Sequence, residues 1–252
     1  MDGATRFGPT VERLADHLFD GALDDPTAAE ITEWLAGSAR FRGFAEAYRD
    51  TIRRKWRGAI DAESRKDLRA ELRAAHLLLA DRRIELAFET YGSARSGPDF
   101  TVTFRGERSF NVEVTRVRGA TRASGHAGPL LAKLRQLPPS VPNLVLVAIE
   151  GGSADLFDAA GATRMLRARA DAKDDEFFAA RGFRDARAFY QRYLRLGAVI
   201  VWCEGATDDE RAMVWSNPSA RITVPVRAAQ ACASCLRAAE PTRTLTSPAS
   251  GS

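Results

Sequence analysis

The chain has 252 residues, 45% of them hydrophobic and 28% charged, the balance of a globular protein built on one core or on a core with an appendage. Its longest sheet-like apolar run, Leu144 to Ile149, is far short of the roughly 18 residues of a membrane helix, and the N-terminus lacks the apolar stretch of a signal peptide, so a cytoplasmic protein with no membrane partner is expected. A net charge of +4 favours a polyanionic partner without requiring one.

Residues 1–8 are expected to be disordered. From Pro9 to Leu23, Val11, Leu14, Ala15, Leu18 and Phe19 recur at helical spacing. Asp25 caps a second helix that has Pro26 at its first position, and Gly37-Ser38 ends it. A third helix is predicted over Ala39–Ala59, its core stripe being Phe41, Phe44, Tyr48, Ile52 and Trp56. The tightest basic cluster of the chain, Arg49, Arg53, Arg54, Lys55 and Arg57, lies on this helix with Trp56 inside it. Two readings stay open for it: a nucleic-acid-binding face that tracks phosphates, or a solvated face laced with ion pairs. Residues 1–60 thus form an N-terminal helical segment ahead of a domain over residues 61–240.

A helix beginning at Asp61 or Ser64 carries Leu68, Leu72, Ala75 and Leu79 inward. Glu71 sits at the border of that stripe, and His76 near its edge. Ile84, Leu86 and Phe88 alternate with polar residues in a first strand. Asp99 to Phe104 and Phe110 to Thr115 then alternate on either side of Arg105-Gly106-Glu107-Arg108, a β-hairpin by period and punctuation. Alternate residues share a face, so Asp99, Thr101, Thr103, Asn111, Glu113 and Thr115 fall together, with Asp99 opposite or diagonal to Glu113. Directly opposed side chains lie about 5 Å apart and like charges there repel. Either a divalent cation sits between the two carboxylates, or the face is wet and the repulsion is screened.

The Gly119–Gly128 stretch, with Arg118, Arg122 and His126 in or beside it, reads as a connection or as a phosphate-reaching loop. A short helix from Pro129 turns Leu130, Leu131, Leu134 and Leu137 inward and stops at Pro138-Pro139. Leu144–Ile149 is a strand covered on both faces. Residues 154–196 form a helical insertion broken near Gly182, and Ala198–Cys203 is a further strand. Met213 to Val224 reads as a final hairpin or loop. Cys232 and Cys235 read as two buried thiols on an Ala-rich helix, since no second pair completes a zinc site. Three cysteines in all suit a reducing compartment. Residues 241–252 form a tail expected to be disordered.

The order helix, strand, strand, strand, helix, strand over residues 61–150 resembles the core of the PD-(D/E)XK nuclease superfamily. Glu71 in the first helix, Pro98-Asp99 entering the second strand, Glu113-Val114-Thr115 on the third, and Lys133 with Gln136 in the next helix carry the resemblance. It implies an α/β, restriction-endonuclease-like αβββαβ core with a mixed sheet, preceded here by the N-terminal helices and carrying the helical insertion. It also implies a Mg²⁺-dependent endonuclease, with Mn²⁺ as a substitute, acting on DNA; a homodimer is compatible with it. Asp99 and Glu113 become metal ligands, the Val114 carbonyl a third, and Glu71 an auxiliary. Gln136 matches a helix glutamine that some members place near the site. The family lysine is replaced by Thr115, which is neither a cation nor a base at neutral pH, and Arg116 alternates to the other face. Lys133 is then the migrated lysine, if its helix crosses back over the sheet. A nuclease-fold module that binds nucleic acid or a protein without turnover is the alternative.

Overall fold

The first three helices of the N-terminal segment start where the sequence carries a start signal, at Pro9, at Asp25-Pro26 and at Ser38. In a computed structural model that describes residues 7–89, 97–117, 127–150, 157–204 and 212–238, Asp25 accepts the Thr27 and Ala28 N–H groups at the head of α2 (Pro26–Gly37). Before it, α1 (Pro9–Phe19) ends on Asp20 in the left-handed region, four residues earlier than expected. The long helix predicted over Ala39–Ala59 is two, α3 (Ala39–Ala47) and α4 (Arg49–Gly58). They part at Tyr48, whose φ of −113° and ψ of 21° leave the helical region, while Phe41, Phe44, Ile52 and Trp56 stay buried across the break. Spacing alone does not register such a bend, because each half keeps the apolar period.

Next, α5 (Ala62–Leu78) is capped by Asp61 and leads into β1 (Ile84–Phe88). Arg40 donates to the carbonyls of Leu79, Asp81 and Ile84 at 2.6 to 2.7 Å, tying the C-cap of α5 and the turn that follows to the start of β1. The hairpin is β2 (Phe100–Phe104) and β3 (Phe110–Val117), turning through Arg105 and Gly106, both at positive φ. Then come α6 (Gly128–Leu134), β4 (Asn143–Glu150), α7 (Ala159–Asp171), α8 (Asp175–Ala179), α9 (Ala186–Tyr193), β5 (Leu196–Glu204), β6 (Ala212–Ser216) and α10 (Val226–Arg237). The insertion therefore breaks twice, at Lys173 and at Gly182, both with positive φ. Residues 118–126 and the tail from 239 lie outside the described residues.

The protein is α/β, with a six-stranded mixed sheet in the order β1-β2-β3-β4-β5-β6. The pairs β3–β4 and β4–β5 are parallel; β1–β2, β2–β3 and β5–β6 are antiparallel. One continuous core joins α1–α5 and α10 to one face through Phe100, Val112, Val114, Leu146 and Trp202. A second core joins α6–α9 to the other through Val145, Val147, Val199 and Val201. That double cover is why β4 and β5 read as unbroken apolar runs. Cys232 and Cys235 are both buried on α10 as thiols. No helix among the described residues is long and apolar enough to cross a membrane.

Two buried asparagines lock the N-terminal edge of the parallel strands. Asn143 donates to the carbonyls of Pro138, Val141 and Arg195 at 2.9 to 3.0 Å and accepts from Asn111. Asn217 donates to the Tyr193 and Leu196 carbonyls and accepts from the Tyr193 hydroxyl at 3.0 Å. Gly197 is required between them, since a Cβ there would stand 2.9 Å from Val224 and 3.0 Å from the Asn143 carbonyl. Asn143→Leu is expected to lower stability by about 2–3 kcal/mol, because it strands buried carbonyls. Denaturant unfolding with an unchanged midpoint would contradict this.

Candidate functional site

Strand register brings three acids to one rung of the sheet. The β1–β2 pairing ends with Phe88 opposite Phe100, and the β2–β3 pairing ends with Phe100 opposite Val112. One step further along both ladders stand Glu89, Asp99 and Glu113. The Glu89 N–H donates to the Asp99 carbonyl at 3.0 Å. The Asp99 carboxylate turns back and accepts the Val114 N–H at 2.8 Å, which pins it against β3 beside Glu113. Asp99 and Glu113 are 7% and 2% exposed, so water does not screen their repulsion. Glu71 projects from α5 into the same place.

Two ammonium groups offset this charge. Lys55 on α4 bonds the Glu71 carboxylate and lies 3.3 Å from Glu89 Oε1 and 3.4 Å from Asp99 Oδ1. It also sits 4.9 Å above the Phe88 ring, within an aromatic cluster of Phe44, Tyr48, Phe88 and Phe100 that packs α3 and α4 onto the β1–β2 hairpin. Lys133 on α6 donates to Glu113 Oε1 at 2.5 Å. The other oxygen, Glu113 Oε2, is buried with no hydrogen-bond partner among the described residues.

Burial and the Asp99 charge push Glu71 up to about 8 and Glu113 up to about 7, and the lysines only partly offset this. Burial pulls both lysines down, yet the carboxylates outweigh it. Glu71, Asp99 and Glu89 hold Lys55 above the ordinary lysine range, and Glu113, Asp99 and Glu71 do the same for Lys133. The group is therefore a compact, water-poor cluster of four acids and two ammonium ions, able to exchange protons near neutral pH or to trade an ammonium for another cation.

Of the residues expected from sequence, Glu71, Asp99, Glu113 and Lys133 come together. Val114 joins them through its N–H. Thr115 is half-buried two positions beyond Glu113, on the same face of β3. Arg116 points to the opposite face, where Glu63, Asp67 and Glu150 pair with it. Gln136 lies past the end of α6, and among the described residues no hydrogen bond or ion pair ties its side chain to the cluster. His76 is half-buried, stacked on Trp34, and held down to about 4 by burial and Arg73.

The basic helix divides. Lys55 belongs to the acidic cluster, not to an outer face. Arg53 and Arg57 both pair with Asp20, and Arg54 pairs with Glu89 at 2.6 Å. Arg49 is exposed. The sequence places Lys55 with the arginines of a nucleic-acid-binding face rather than with the acids, and nothing in it singles out Glu89. A signal for Lys55 was present: it lies three residues after Ile52 and so shares the inward face of α4.

The described residues contain no group of three or more acidic, histidine or cysteine side chains placed to cage an ion unaided. Mg²⁺ does not need one, because it takes one or two carboxylates and keeps water on its other positions. Hard oxygen donors at Asp99 and Glu113, with Glu113 Oε2 lacking a partner, fit such an ion if an ammonium moves aside. No protein-family model, curated protein or solved structure matches this chain.

The raised acids set a pH dependence. Glu71 and Glu113 keep their protons to higher pH in the fold than when unfolded, so stability from this source is full below the ordinary value of 4.5 and is lost as pH rises toward about 7 and about 8. Glu113→Gln removes one of these titrations. Denaturation between about pH 5 and about pH 8 is expected to show the variant losing less stability than the wild type. Parallel profiles would contradict the placement of Glu113.

Proposed function

We propose that the protein is a metal-dependent nuclease that hydrolyses phosphodiester bonds in DNA at the Asp99–Glu113 rung, with a restriction-endonuclease-like core over residues 61–150. The observation that carries this reading is the pairing of two buried carboxylates from neighbouring strands, one of which keeps an oxygen without a partner. The element order α5, β1, β2, β3, α6, β4 supports it, as does the Lys133 ammonium on Glu113 where Thr115 offers no cation.

In this reading Asp99 and Glu113 would hold Mg²⁺ or Mn²⁺, with the Val114 carbonyl as a third ligand and Glu71 as auxiliary. Once bound, the ion stabilises charge around phosphorus and makes water nucleophilic at neutral pH. The chain's own groups do the rest. Val114 N–H fixes the Asp99 carboxylate and so the geometry of the pair. Lys55 holds Glu71 and Asp99 in place until the ion arrives. Lys133, released from Glu113, presents a cation to the phosphate or orients the attacking water. Raised acids compete for protons with the incoming ion, so metal affinity is expected to climb between about pH 6 and about pH 8.

A second reading has a specific observation behind it. Lys55 and Lys133 already pair with Glu71, Asp99 and Glu113, which is how a fold that binds nucleic acid without cleaving it would be stabilised once metal binding was lost.

Plasmid nicking in Mg²⁺ or Mn²⁺ separates the two. Asp99→Ala and Glu113→Gln are each expected to lower the rate by about 100-fold or more with the fold intact, and Lys133→Ala by a comparable factor. Wild-type protein that binds DNA yet never cuts it would favour the second reading. Cleavage that survives Asp99→Ala would remove the first.

A further inference from the structure

Many of the described arginines of the N-terminal half are held by carboxylates. Arg53 and Arg57 share Asp20, Arg65 holds Asp25, Arg69 spans Glu30 and Glu204, and Arg116 is enclosed by three acids. The N-terminal edge of β4 and β5 is different. Arg192 in the last turn of α9, Arg195 one turn later, and Arg221 form no ion pair among the described residues. Arg221 is nevertheless fixed beside the other two, because its N–H donates to the Leu194 carbonyl at 2.9 Å and its guanidinium to Gln191 at 2.9 Å. Burial pushes Arg195 down, and the charges of Arg192 and Arg221 add to it. On the same side Arg195 donates to the Leu137 carbonyl, and Arg108 reaches the Ser140 carbonyl of the next loop at 3.4 Å.

This crowding is built in. The Arg195 and Leu196 carbonyls are tied down by Asn143 and Asn217, whose burial also holds the loops that carry Arg221 and the Ser140 turn. Like-charged guanidinium groups on a rigid scaffold, without carboxylates between them, suit a polyanion whose phosphates lie side by side, since the planar fork matches phosphate oxygens. Glu113 stands opposite Val145, two residues into the sheet from Asn143 at this edge.

We propose that Arg192, Arg195 and Arg221, flanked by Arg108, form a phosphate-backbone contact surface for DNA, in place of the arginines of α4. The surface itself follows from the unpaired arginines; DNA as the polyanion rests on the nuclease reading above. Contacts of this kind position a duplex without reading its sequence.

The test is equilibrium binding of a labelled DNA duplex in EDTA, so that cleavage does not interfere, at several salt concentrations. Arg192→Glu with Arg221→Glu is expected to weaken binding about tenfold or more and to flatten the slope of log affinity against log salt by about 2. Arg192→Gln with Arg221→Gln, which adds no repulsion, is expected to move both in the same direction by a smaller factor. Arg13→Glu with Arg82→Glu changes net charge equally at exposed positions of the N-terminal half and is expected to stay within about threefold of wild type. Equal losses in the two Glu pairs, or none in either, overturn the surface. Tighter binding of RNA than of DNA of equal length overturns the choice of DNA. Mg²⁺-dependent cutting that ignores Arg192→Glu with Arg221→Glu defeats the surface and spares the nuclease reading. Binding that follows the proposal in a protein that never cuts does the reverse.

Discussion

Everything near the candidate site follows from three carboxylates placed on one rung of three adjacent strands. Glu89, Asp99 and Glu113 are brought there by the ladders that pair Phe88 with Phe100 and Phe100 with Val112, and Glu71 is added from the covering helix. Opposed like charges at this spacing repel, and the repulsion grows as burial removes water. The fold meets it with two lysines from opposite layers. Lys55 comes from the α1–α5 side and Lys133 from the α6–α9 side, so the cluster is closed by both cores at once. A cluster so placed is costly as pure architecture, since apolar side chains of similar size would serve a fold better. The cation-handling role proposed above would account for that cost.

The supporting structure works to keep that rung in register. Arg116 is drawn to the opposite face by Glu63, Asp67 and Glu150, which leaves Glu113 facing α6. Phe88 and Phe100 stack at 5.2 Å beneath Lys55 and seat the N-terminal helices on the hairpin. Residues 1–60 therefore share the core of the sheet and supply one of its charges.

Much of this was legible in the sequence. Strand alternation placed Asp99 opposite or diagonal to Glu113 and sent Arg116 to the other face, because a period of two leaves no choice once the turn at Gly106 is fixed. Asp25-Pro26 announced α2, and the unbroken run in β4 announced a strand covered on both sides. What could not be read were contacts between elements distant in the chain. Lys55 was grouped with Arg53, Arg54 and Arg57 because charge clusters are counted along the chain, whereas its partners Glu71 and Asp99 lie 16 and 44 residues away. The ion pairs to Asp20 were invisible for the same reason. Arg192, Arg195 and Arg221 did not stand out, because Asn217 assembles them from two separate segments. The break at Tyr48 escaped because an apolar stripe is blind to a bend between two helices of the same face.

The most direct measurement is a crystal soaked in Mn²⁺ and examined for anomalous scattering. A peak at about 2.1 Å from carboxylate oxygens of both Asp99 and Glu113, with the Lys133 ammonium displaced from Glu113, is the expected result. Lysines still seated on their carboxylates, with no manganese between the two strands, would contradict it.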